Sequence, residues 1–223
     1  MCHNQASYAT PHLLLPIKSL QFYPEPHRYR FKDDWLIMSV SDVLRYFMDE
    51  DQKAAIERYR GGENGWEKRG NELHSTLEKL LNGEEIKAEG KFADWIDALK
   101  NCDLFKNSEI LATEFALCDE KKSIGGSFDF LLKKENGEII LGDLKTTSSE
   151  KAAKYRKPAT EQLGAYASML KQHRPKIKID KCCTLVLGPN VCRPIEQEPK
   201  KCLEAWNKVW MHYQVEHRLN EDF

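Results

Sequence analysis

The chain has 223 residues, 41% of them hydrophobic and 31% charged, with 34 Lys and Arg against 35 Asp and Glu. These proportions exclude an intrinsically disordered chain, and no apolar run approaches the ~20 residues of a membrane helix. Leu13-Leu14-Leu15 is closed by Pro16 with no basic segment before it, so no signal peptide is expected, and seven cysteines, an odd number, fit a reduced compartment better than a disulfide framework.

In chain order, residues 1–20 carry no periodic signal and read as a loose or peripheral arm. A hairpin follows over 27–40: His27 to Phe31 alternates, Lys32-Asp33-Asp34 turns, and Trp35 to Met38 returns. Ser39 or Ser41 can cap a helix running through Phe47. Further helices are predicted over 50–60, ended by Gly61-Gly62, over 66–81, ended by Asn82-Gly83, and over 92–99. The pattern then changes to strands over 109–118, 127–134 and 138–145, the last two joined at Asn136-Gly137, a strong hairpin signal. A helix over 160–171, a buried-type strand over 182–187 ended by Gly188-Pro189, and a last helix over 199–218 complete the chain. This order predicts the α/β class: a mixed central β-sheet flanked by helices, with an N-terminal part of hairpin and helices over 1–65 ahead of a core over 66–223.

The hydrophobic pattern is broken at particular places. Asp143 and Lys145 stand two apart at the end of an apolar strand, so both share the face of Ile139 and Leu141. Asp129 breaks the neighbouring strand in the same way. Charges placed there are costly unless they are paired or hold a metal. Two carboxylates converging beside one lysine suit a hard cation such as Mg²⁺, although an Asp-x-Lys by itself is also a common surface pair. Register supplies a check. A two-residue turn at Asn136-Gly137 would set Asp129 opposite Leu144 and point Asp129 and Asp143 to opposite faces. A three-residue loop, Glu135-Asn136-Gly137 with Gly137 left-handed, or a bulge near Gly142, would set them opposite each other.

At these residues the chain resembles the PD-(D/E)xK nuclease superfamily, within its RecB-like and phage-type exonuclease branch. Gly126-Ser127-Phe128-Asp129 resembles the first acidic motif, and Gly142-Asp143-Leu144-Lys145-Thr146-Thr147 the second. Arg69-Gly70-Asn71-Glu72-Leu73-His74 looks like the upstream Gly-x-x-x-His helix motif, and Gln162-Leu163-Gly164-Ala165-Tyr166 like the Gln-x-x-x-Tyr motif that follows. The resemblance implies a restriction-endonuclease-like core, with residues 1–223 as a single nuclease domain. It implies a Mg²⁺- or Mn²⁺-dependent phosphodiesterase acting on DNA, single- or double-stranded, commonly from a free end, in recombination, replication or DNA degradation. Asp129, Asp143 and the Leu144 carbonyl would hold metal, His74 would complete the site, Lys145 would act in catalysis, and Gln162 and Tyr166 would brace the site or the DNA. Glu114 is similar to an acidic residue that some members carry on the preceding strand, where it would stand behind the metal or hold a second one. The cytoplasm of a bacterial or phage-infected cell is the expected setting, with no membrane partner; oligomeric state is left open. Two alternatives stand beside this: a nucleic-acid-binding protein on a nuclease fold without cutting activity, and a structure-specific endonuclease.

His74 shares a helix face with Gly70, Leu77 and Leu81, which taken alone marks a core histidine; Gly70 would leave room for close backbone approach. From residue 145 to 181, eight lysines and two arginines meet only Glu150, Glu161 and Asp180, an excess that suits a phosphate backbone or a solvated surface. Within it, Lys151, Lys154, Tyr155, Arg156 and Lys157 are candidate strand contacts. The late cysteines, 182, 183, 192 and 202, depart from the spacing by which some relatives hold an iron–sulfur cluster, so no cluster is expected, and no Cys-x-x-Cys supports zinc. Trp206 and Trp210 read as core.

Overall fold

The computed structural model describes residues 14–25, 27–62 and 65–221, with side chains as far as 217. The arm expected over 1–20 falls mostly outside these residues, and its described part is not loose. The Leu14 amide donates to the Leu111 carbonyl and Ile17 is buried in the core. The absence of periodicity there reflects docking through single residues rather than mobility.

β1 (Leu20–Tyr23), β2 (Arg28–Phe31) and β3 (Asp34–Trp35) form a small antiparallel sheet. Its Phe31↔Asp34 register makes the turn two residues long, with Lys32 left-handed at φ 57°. The expected return strand through Met38 is cut short at Trp35: β4 (Met38–Ser39) crosses to the main sheet and pairs in parallel with β6 (Ile124–Lys134). Ser39 then caps α1 (Val40–Tyr46) in a reciprocal box with Asp42. α2 (Glu50–Arg58) is capped in the same manner by Asp49 and Gln52, and α3 (Trp66–Leu81) and α4 (Ala93–Lys100) follow.

The central sheet has six strands in a mixed arrangement. β5 (Ser108–Asp119) lies antiparallel along the whole of β6. The other edge of β6 is shared: β4 covers Ile124 and Gly125, while β7 (Ile139–Thr146) covers Phe130 to Lys133. Residues 126–129 lie in the fork between them. β7 goes on beside β8 (Lys181–Gly188), parallel to it, and β9 (Val191–Gln197) returns antiparallel at the edge. The parallel step is made through α5 (Glu150–Tyr155) and α6 (Thr160–His173), and α7 (Pro199–Glu221) ends the described chain.

Helices cover both faces. On one, Leu163, Tyr166 and Met169 of α6 and Trp206 of α7 pack with Phe115, Phe128, Leu131 and Leu141. On the other, Leu73 and Leu77 of α3 and Ile96 and Leu99 of α4 pack with Phe130, Ile140, Leu144 and Leu185. Trp206 is fully buried, and Trp210 packs against the same core, as expected. Cys182 and Cys183 fall on opposite faces, one in each core. Among the described residues, no helix is long and apolar enough to cross a membrane.

Candidate active site

The hairpin between β6 and β7 decides where the carboxylates go. Phe130↔Gly142 and Lys133↔Ile139 are partners, so the loop is the three residues Glu135-Asn136-Gly137. The Lys134 amide donates to the Glu138 carbonyl, and Gly137 is left-handed at φ 87°. This is the longer of the two turns considered from the sequence, and it sets Asp129 opposite Asp143. The ladder stops one step short of that pair. There the Asp129 carboxylate instead accepts a hydrogen bond from the Leu144 amide.

Around this point the side chains converge. His74 Nδ1 of α3 lies 2.9 Å from Asp129 Oδ1 and 3.7 Å from Glu114 Oε1 of β5. Lys145 Nζ lies 2.7 Å from Asp143 Oδ2. Asp129 and Asp143 are buried, whereas the side chains of His74 and Glu114 are each about one-third exposed, so the cluster opens to solvent on their side. Burial pushes the Asp129 carboxyl up, but the charge and hydrogen bond of His74, the Leu144 amide and the Lys145 charge outweigh it and hold it below the usual range. Asp143 goes the other way: burial, with the nearby Asp129 charge, raises it despite Lys145. Glu114 is likewise raised, first by burial. Burial alone would lower His74, but Asp129 and Glu114 raise it to about 10.

The donor set fits a divalent cation. His74, Glu114 and Asp129 offer ligand atoms within 4.8 Å of one another. Asp143 Oδ2 is buried, with the Lys145 ammonium 2.7 Å away as its charged partner. An imidazole and two carboxylates, with the Asp143–Lys145 ion pair on the strand next to that of Asp129, are a set that Mg²⁺ or Mn²⁺ can use.

The other expected residues are distributed around this centre. Leu144 meets Asp129 through its amide. Gln162 Nε2 donates to Tyr166 Oη at 2.6 Å on α6, and Tyr166, fully buried, feels the Asp143 charge. Lys151, Lys154 and Tyr155 lie on α5, with Arg156 and Lys157 just beyond it, and all five are exposed. Tyr155, Arg156 and Lys157 line a cleft of about 590 Å³ together with Arg69, Thr146 and Ser148, whereas Lys151 and Lys154 are not among its lining residues. Gly70 corrects an expectation: a Cβ there would meet nothing within 4 Å, so among the described residues no backbone packs closely on it. The sequence undervalued Glu114, which stands as near to His74 and Asp129 as a ligand would, and it gave no separate weight to Arg69.

A family model described as the PD-(D/E)XK nuclease superfamily matches residues 48–186. That span holds α3 and β5 to β7 with every residue of the cluster. A crystal structure of SSO0001 is similar over 76% of this chain and 70% of its own, at 19% identity and a TM-score of 0.38. The comparison with curated proteins finds no match.

Proposed function

The chain belongs to the PD-(D/E)XK nuclease superfamily, and we propose from that premise that it is a divalent-metal-dependent deoxyribonuclease of the RecB-like and phage-type branch, acting at DNA ends. The observation that carries the reading is the grouping of His74, Glu114 and Asp129 at the fork of β6, with the Asp143–Lys145 ion pair on the neighbouring strand. A binding module has no use for so many partly desolvated charges.

His74, Glu114, Asp129 and Asp143 would hold the cation, with the Leu144 carbonyl as a main-chain ligand. Bound there, Mg²⁺ or Mn²⁺ would acidify a water and offset charge on the phosphoryl group. Lys145, held against Asp143 on a buried strand, would orient the attacking water and stabilise the oxyanion charge that grows on phosphorus. The Leu144 amide fixes one oxygen of Asp129 and leaves its other oxygen toward His74. Gln162 and Tyr166 would brace the Asp143 side of the site from α6. Action from an end is supported by the likeness of the four motifs.

The test is incubation of the chain with linear and closed circular DNA in Mg²⁺, Mn²⁺ or EDTA, with 5′- and 3′-end labels. Linear DNA should be degraded with either metal and spared in EDTA. Lys145→Ala should fold and bind DNA but lose at least about 10²-fold in rate, the scale of a lost transition-state contact. Cutting of closed circles would make it an endonuclease, and the absence of metal-dependent cutting would leave a binding protein.

A further inference from the structure

Arg69 is only 8% exposed, and among the described residues its Nε has no hydrogen-bond partner. It lies in the first turn of α3, five residues before His74, about 7.5 Å along the helix axis. Burial lowers its pKa and no acidic neighbour contributes. A buried guanidinium without a counter-charge is costly, and such a group is found where an anion completes it. Arg69 lines the cleft of about 590 Å³ at the end of β7, where Thr146 and Ser148 follow directly on Lys145. Tyr155, Arg156 and Lys157 also line it, and among the described residues none of its lining is acidic.

We propose that this cleft holds a phosphate of the nucleic-acid strand flanking the one at the carboxylates, with Arg69 as its buried anchor and Arg156 and Lys157 as its rim, a role that rests on the nuclease reading. The planar fork of an arginine matches two phosphate oxygens at once, which a lysine's point charge does not. The Tyr155 ring, 70% exposed in the same cleft, offers its face to a base.

The experiment measures binding of a fluorescein-labelled 15-nucleotide single strand to the full chain by anisotropy in EDTA, across a salt series. Variants are Arg69→Gln, Arg69→Lys and the double variant Arg156→Gln/Lys157→Gln, each checked for its melting temperature. Arg69→Gln should weaken binding about tenfold and reduce the slope of log K against log salt by about 0.7, one phosphate contact on a single strand. Arg69→Lys should keep the slope yet bind more weakly, because the charge remains and the fork is lost. If Arg69→Gln does not fold, the rim variant carries the test, with the slope reduced by about 1.4. An unchanged slope in both Arg69→Gln and the rim variant overturns the proposal, as does failure of the unaltered chain to bind the strand. If the unaltered chain cuts DNA in neither Mg²⁺ nor Mn²⁺ but the slope still depends on Arg69, the nuclease reading falls and the phosphate cleft stands. If it cuts with metal, and Arg69→Gln and the rim variant both bind with an unchanged slope, the cleft falls alone.

Discussion

Glu114 adopts a backbone conformation that glutamate seldom takes: its φ is 43° in the middle of a strand. Such a residue costs on the order of 1–3 kcal/mol and persists where its surroundings over-determine it. Two features do so here. A bulge between Ile110 and Ala112 shifts the β5–β6 register so that Glu114 falls between the Thr113↔Phe130 and Phe115↔Phe128 pairs, opposite Asp129. Its carboxylate then reaches toward His74. The position is held at an energetic cost, because burial and the Asp129 charge both oppose its ionisation. Glu114→Gln is therefore expected to raise the melting temperature in EDTA while losing most of the rise that saturating Mn²⁺ gives the unaltered chain. Differential scanning fluorimetry with and without metal reads both. A lower melting temperature in EDTA and an intact metal response would show Glu114 to be a structural partner of His74. Asp129, Asp143 and Lys145 were legible in the sequence because each interrupts an apolar alternation. Glu114 follows Thr113 in a strand without strict apolar alternation, so it interrupts nothing, and its place depends on a bulge that no local signal announces.

Among the elements, the β6–β7 hairpin is the most constrained. A Cβ on Gly142 would fall 1.8 Å from the ring of Phe130, its cross-strand partner, and Phe130 is fully buried with Phe105 edge-on at 5.3 Å. The ring has nowhere to go. Gly142→Ala should cost at least about 1–3 kcal/mol, the usual range for an overpacked core, seen as a lower urea midpoint; an unchanged midpoint would mean the sheet can part there. The same scale explains which elements could be read in advance. α3 runs over 66–81 as expected, because a long amphipathic stripe and Asn82-Gly83 fix its limits. The strands over β5 to β8 were evident from their apolar runs. β9 was missed: Arg193, Pro194 and Glu196 give it the composition of a loop, which an edge strand tolerates because one side of its backbone needs no partner. β1 and α5 were missed for shortness, four and six residues that hold only by packing.

Over the whole molecule, the candidate centre draws on both layers. His74 comes from α3, whose apolar residues Leu73 and Leu77 build one core, while the charge of Asp143 reaches Tyr166 of α6, part of the other. The strand between them, β7, gives Leu141 to one core and Ile140 and Leu144 to the other. The loop of three residues at its start therefore does more than turn the chain. Replacing Asn136 by Ala should change stability by less than about 1 kcal/mol and leave cutting intact, since its side chain reaches only the Glu138 amide. Deleting it should abolish cutting altogether and lower the melting temperature sharply, because a slip by one position turns every side chain of β7 over. Retained activity in the deletion would show that the strand can recover its pairing elsewhere. What the hairpin preserves is thus parity rather than chemistry: apart from the left-handed Gly137 the tip can drift in composition, whereas gaining or losing a single position inverts which layer the acids address.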